Sequence, residues 1–189
     1  MPPLEDADDE QNAMVGDLLV ARRVLNVQVM EEESNQRENL FHTRCFLNNK
    51  VYSVIIDGGS GTNVASTYLV EKLALTTLKH PYPYRLQWLN GCGEIKVTRQ
   101  VLVALSIGQY KDEVLCDVVP MHACHLLLGR PWQYDKRVTH DGFTNRYSFT
   151  HKRQPIILVS LTPKQVKEDQ LKLQRSNEKK ERKRNEGRN

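Results

Sequence analysis

This sequence predicts an all-β domain, and three observations carry that prediction. The apolar runs 42–47 and 51–56 are separated by Asn48-Asn49, a pair that tolerates left-handed backbone and suits a tight hairpin. Ile95, Val97, Val101, Val103, Leu105 and Ile107 fall on every second residue, broken only by Arg99, which is the period of a long half-buried strand. Turn residues, Asn90-Gly91-Cys92-Gly93, Gly108 and Asp141-Gly142, punctuate the runs. A chain of 189 residues and 21.8 kDa supports one core rather than two. Its hydrophobic fraction of 39% and mean hydropathy of −0.57 are low for a domain compact throughout, so polar tails are expected around a smaller folded centre.

Three segments follow: an acidic and polar leader over 1–39, a folded domain over 40–161, and a basic helical or disordered tail over 162–189. In the leader, Met14, Leu18, Ala21 and Leu25 recur at helical spacing, while Val27 and Val29 flanking Gln28 suit the start of a strand; both readings stand. Within the domain, hairpin strands over 42–47 and 51–56 lead to a loop, and Ser66 then caps a helix running to about Leu75. Tyr84 to Leu89 and Ile95 to Ile107 are the two arms of a hairpin whose tip is Asn90 to Gly93. Glu113 to Val119 is a strand closed by Pro120, Arg137–His140 and Tyr147–Thr150 form a hairpin around Asp141-Gly142, and 156–161 is one more apolar run. Thr162-Pro163-Lys164-Gln165 reads as a helix start, with a hydroxyl cap, Pro in the first turn and Gln three residues after the cap. The helix it opens is polar all round, a pattern of frayed or partner-docked helices.

Charge is unevenly placed. Residues 1–17 carry Glu5, Asp6, Asp8, Asp9, Glu10 and Asp17 with no basic residue, while 164–188 is rich in Lys and Arg. The run Lys179-Lys180-Glu181-Arg182-Lys183-Arg184 suits weak nucleic-acid contact or nuclear import, or a solvated interdomain linker. No apolar stretch approaches the roughly 18 residues of a membrane span, and no basic-then-apolar secretory signal opens the chain. Cys45, Cys92, Cys116 and Cys124 show no CxxC pairing, so free and mostly buried thiols are expected, in the cytoplasm or nucleus. Cys116, His122, Cys124 and His125 match no zinc spacing, and neither a metal nor another cofactor is expected.

The chemistry concentrates at Ile55-Ile56-Asp57-Gly58-Gly59-Ser60-Gly61-Thr62. An apolar strand ends in one carboxylate, and the glycines that follow let backbone amides approach it closely. Peptide hydrolysis without a metal or a nucleophilic side chain needs a base for water and an acid for the leaving group. Two carboxylates a few ångströms apart supply both, because they share one proton. No second Asp-Gly-Gly occurs, so the partner carboxylate must come from a second copy of the chain.

Asp57-Gly58-Gly59-Ser60, the Asn90 to Gly93 hairpin tip and Leu127-Leu128-Gly129 resemble the retropepsin-like aspartic proteases of gypsy-type LTR retrotransposons over about residues 40–150. The resemblance implies an acid-protease barrel with one lobe per chain, a homodimer, and cleavage of a Gag-Pol-type polyprotein or peptide substrate. It places Asp57 as the catalytic aspartate, with Gly58, Gly59, Ser60 and Thr62 as its loop; at position 60 a hydroxyl can donate to the carboxylate. Trp88, Asn90, Gly91, Cys92 and Gly93 fall on the flap that closes over peptide, and Leu127, Leu128 and Gly129 on the motif that holds the catalytic loop. Trp132 matches a tryptophan common in retrotransposon members. Two positions depart from the pattern: Gly58 stands where the family has a Ser or Thr hydroxyl that cross-links the two loops, and Pro131 replaces an Asp. Some plant gypsy-type elements look similar at both places. A catalytically weak module that keeps the fold for binding or dimerisation is the alternative that Gly58 leaves open.

Overall fold

The computed structural model describes residues 39–87 and 93–187; the leader's helix-or-strand reading and the flap residues Trp88, Asn90, Gly91 and Cys92 lie outside them. Strand β1 (Phe41–Leu47) pairs antiparallel with β2 (Lys50–Ile56) in unbroken register from Phe41↔Ile56 to Leu47↔Lys50. Asn48 and Asn49 make the turn at φ of 48° and 62°, the two successive left-handed residues of a type I′ hairpin. Strand β3 (Val64–Ser66) follows the Asp57 loop and runs into helix α1 (Thr67–Lys72), where the Ser66 hydroxyl accepts from Leu69 N. The helix ends before Leu75 because Ala74 turns left-handed at φ 48°.

Strand β4 (Thr77–Gln87) begins seven residues earlier than the Tyr84 start expected, and it contains Pro81 and Pro83. It lies at the sheet edge, where a missing N–H leaves no neighbour unpaired, and its register shifts between Lys79 and Tyr84 to absorb the prolines. Strands β5 (Glu94–Ile107) and β6 (Tyr110–Val119) form the long hairpin, turned at Gly108 with φ 59°. Val97, Val101, Val103 and Leu105 are buried along one face of β5, and Arg99, which breaks the alternation, is exposed.

Strand β7 (Leu126–Leu128) enters the middle of the sheet, parallel to β2 and antiparallel to β3. The seven-stranded order is β1-β2-β7-β3-β6-β5-β4, and Phe46↔Ser106 joins β1 to β5, so the sheet curls back on itself. Helix α2 (Arg130–Asp135), not singled out in the sequence, starts at once after Gly129 with proline in its first turn. A smaller sheet of β8 (Thr139–Asp141), β9 (Arg146–His151) and β10 (Gln154–Val159) covers one face of the core. Edge-on aromatic contacts, Phe41 with Tyr147 and Trp132 with Phe149, lock it there.

Helix α3 (Pro163–Glu186) is opened by the Thr162/Gln165 capping box. The expectation of a frayed or partner-docked helix meets a different arrangement: α3 docks on its own domain. Arg44 grips Asp169 with two hydrogen bonds of 2.9 and 3.0 Å, Gln170 donates to the Ala123 carbonyl, and Leu173 is buried. A helix with one buried apolar side chain is thus held chiefly by polar contacts, which a hydrophobic-periodicity reading does not detect. No helix among the described residues is long and apolar enough to cross a membrane.

Candidate active site

Two strand ends set the site. Register Ile56↔Leu128 brings Asp57 and Gly129 side by side, although they are 72 positions apart in the chain. Asp57 N donates to the Leu128 carbonyl at 3.0 Å, Ser60 N donates to the Asp57 carbonyl at 3.1 Å, and Gly59 N donates to Asp57 Oδ1 at 2.9 Å. The last contact is the close backbone approach that the glycine pair was expected to permit. Asp57 is half-buried, while Gly58, Gly59 and Gly61 are exposed. Ser60 departs from the resemblance: its hydroxyl donates instead to the Thr62 carbonyl at 2.9 Å, tightening the loop from within.

Gly129 is required by space rather than by backbone angle, since its φ of −102° suits any residue. A Cβ there would stand 2.3 Å from the Thr62 carbonyl oxygen and 2.7 Å from that of Ser60. The loop is therefore laid directly on β7. Leu127 and Leu128 are fully buried beneath it, and Trp132 is buried with its indole N–H donating to Tyr110 Oη at 3.1 Å. Of the hairpin tip expected to be a flap, Gly93 alone is described, with left-handed backbone at φ 103°.

Sequence reading missed two supports of this loop. Buried Asn63 accepts through Oδ1 from Gly129 N at 2.9 Å and Trp132 N at 3.4 Å, coupling loop, β7 and α2. Buried Asp117 accepts from Thr62 Oγ1 at 3.0 Å, Tyr84 Oη at 2.5 Å and Gln100 Nε2 at 3.1 Å, and pairs with His80 at 3.2 Å. Burial, together with the Asp117 carboxylate, pushes the Tyr84 phenol well above its usual range. An acid on a strand and an amide in a loop are commonplace in sequence; only chain closure shows that both meet the Asp57 loop.

Of the four residues weighed for zinc, Cys116, Cys124 and His125 pack within the domain, while His122 is exposed. Cys116 and Cys124 are buried, and burial pushes the Cys124 thiol up to about 12. His125 Nδ1 accepts from Ser53 N at 3.0 Å, and its ring packs between Tyr52 and Tyr68. Burial lowers its pKa from 6.5 to about 4, assisted by the Lys72 charge. The unfolded chain therefore takes up this proton first as pH falls below 6.5. This contribution to stability is intact above that value, declines between 6.5 and 4, and is fully lost below 4. Between pH 7 and pH 5 the loss is about 2 kcal/mol. Urea melts at the two values should show it, and His125→Asn, whose amide oxygen can replace Nδ1 as acceptor, should flatten the slope. His42, also lowered by burial, leaves a residual dependence of the same sign.

A family model described as PEG10/RTL1 protease domain matches residues 53–141, from within β2 to the end of β8. That match supports a retropepsin-like domain over this part of the chain. Among solved structures, the retroviral protease-like domain of Ddi1 from Leishmania major is similar at 12% identity and a TM-score of 0.48, with 66% of this chain and 95% of that chain covered. No curated protein matches the chain.

Proposed function

We propose that this chain is an aspartic endopeptidase that works as a two-fold homodimer, each copy supplying one Asp57. One observation carries the reading: the Asp57 loop is fixed from below by Leu128 and Gly129, yet its glycine crest is exposed. A carboxylate held this rigidly at an open face suits a partner copy bringing a second carboxylate to the same place. The two then share a proton, one taking a proton from water as the other protonates the amide. Extended peptide would add a strand beneath the hairpin that the sequence expects around Asn90 to Gly93. The resemblance of the motifs to gypsy-type elements, including plant ones at Gly58 and Pro131, suggests a Gag-Pol-type polyprotein as substrate. In that setting the domain is 40–161, with 1–39 and 162–189 as connecting segments. The test is incubation with a mixed peptide library at about pH 5, with and without a statine-type transition-state mimic, alongside sedimentation. Inhibitor-sensitive cleavage by a dimer is expected; a dimer that cleaves nothing would leave the second reading, a binding or dimerisation module, which the missing hydroxyl at Gly58 favours.

Contact with nucleic acid is a separate reading, supported by a groove of about 590 Å³ between α1 and α3. Lys72, Lys179, Lys180, Arg182 and Lys183 line it, and the Lys72 and Lys180 ammonium groups lie 5.4 and 5.2 Å from the centre of the Tyr68 ring. Glu71, bound to Lys180, is the one acid among the lining residues. A single-stranded RNA oligonucleotide should bind with a steep salt dependence. Lys179→Glu with Lys183→Glu should reduce the slope of log affinity against log salt by about 1.4, and an unchanged slope would end this reading.

A further inference from the structure

We infer that Gln133 is the positioning residue of the Asp57 loop, its carboxamide occupying the space that a side chain at position 58 would fill. The inference rests on the protease reading and names a residue that the motifs do not include. A Cβ built on Gly58 would lie 2.9 Å from Gln133 Oε1 and 3.2 Å from Nε2, so the carboxamide sits against the glycine face of the loop. Helix α2 brings it there on a firm base: Arg130 N donates to the Ser60 carbonyl at 2.8 Å, Trp132 N to Asn63 Oδ1, and Gln133 N to the Gly129 carbonyl at 3.2 Å.

The small sheet lies near the same carboxamide. Burial raises the Tyr147 phenol on β9 above its usual range, the Asp57 charge adds to that rise, and the Gln133 carboxamide opposes it. Tyr147 is itself held by the stacked His140 ring, with centroids 4.2 Å apart, and by Phe41. A carboxamide offers two N–H donors and an acceptor oxygen, and both its oxygen and its nitrogen stand within 3.2 Å of where a Cβ on Gly58 would lie. A loop with two adjacent glycines has wide backbone freedom unless something restrains it. In this chain the restraint comes from α2 and the small sheet, through Gln133, instead of from the side chain of residue 58. The small sheet thereby gains a role: through Tyr147 it backs the catalytic loop.

The test compares wild type, Gln133→Leu, and Gln133→Leu combined with Gly58→Ser. Leucine keeps most of the bulk and removes the polar groups; serine returns a hydroxyl to position 58 once the carboxamide no longer blocks it. Two readouts are used, kcat and KM on a cleaved peptide and hydrogen exchange of the amides of residues 57–61. Gln133→Leu should lower kcat about tenfold or more with KM within about twofold, and should speed loop exchange while leaving the β5–β6 amides unchanged. The double variant should regain most of the lost kcat. Loop exchange unchanged in Gln133→Leu would overturn the inference, as would a kcat loss that serine does not restore. If wild type cleaves no peptide, the protease reading fails on its own, and exchange of the 57–61 amides still decides whether Gln133 holds the loop.

Discussion

Asp57→Asn is expected to eliminate peptide cleavage, by about 10³-fold or more, while fold and dimer persist. The size of the effect follows from the chemistry. A dyad works because one proton is shared between two carboxylates, and an amide at each site can neither take a proton from water nor return one to the leaving amine. Structural cost should be small, because the half-buried carboxylate accepts from Gly59 N through Oδ1, and the asparagine oxygen can accept in the same place. Its thermal midpoint should lie within about 2 °C of wild type, as for surface changes of a few tenths of a kcal/mol. Dimerisation should be retained, since in the proposed dimer the substitution removes only the single negative charge that a proton-sharing pair carries at the axis. Progress curves for both proteins at matched dimer concentration give the measurement. Cleavage that survives the substitution would assign the activity to another group or to a contaminant, and the dyad would have to be abandoned.

The parts of this molecule that were legible in its sequence are those governed by short-range rules. Asn48-Asn49 dictates a hairpin because two left-handed residues in succession fit few other structures, and alternation along β5 records which face is wet. The Asp57 loop was visible as a strand end followed by glycines, and Leu127-Leu128-Gly129 as an apolar run with a forced glycine. What local pattern does not contain is the partner of each polar group. Asn63 and Asp117 are ordinary residues until β3, β6 and β7 come together, when one amide oxygen serves two backbone donors and one carboxylate collects four side chains. Prolines mislead in β4 because their cost depends on whether a neighbouring strand exists, which sequence does not state. Helix α3 misleads for a related reason: its docking uses Arg44, Ala123 and Tyr68 from distant elements, not an apolar stripe of its own.

Gly129→Ala should be the most damaging single methyl in the domain. At Gly58 an added Cβ would meet the Gln133 side chain, 2.9 Å from its Oε1, and no backbone, so the clash falls on one side chain and not on the loop. At Gly129 it would meet two carbonyl oxygens, at 2.3 and 2.7 Å, and neither can rotate without moving the loop. Those carbonyls belong to Thr62 and Ser60; the Ser60 oxygen also accepts from Arg130 N at 2.8 Å, so retreat breaks the bond that starts α2. Gly129 N must meanwhile keep its bond to Asn63 Oδ1 or leave a buried amide unpaired. Steric relief and hydrogen bonding thus pull in opposite directions, and the expected loss is about 3 kcal/mol. For a chain of this size that lowers the thermal midpoint by roughly 6–12 °C. Activity should fall further than stability does, because in the proposed dimer movement of the Thr62 and Ser60 carbonyls carries Asp57 away from its partner carboxylate. Calorimetry and kcat on the folded fraction separate the two effects. A variant that melts with wild type would mean that the loop does not rest on β7 as closely as the geometry requires, and the alignment of the dyad would need another source.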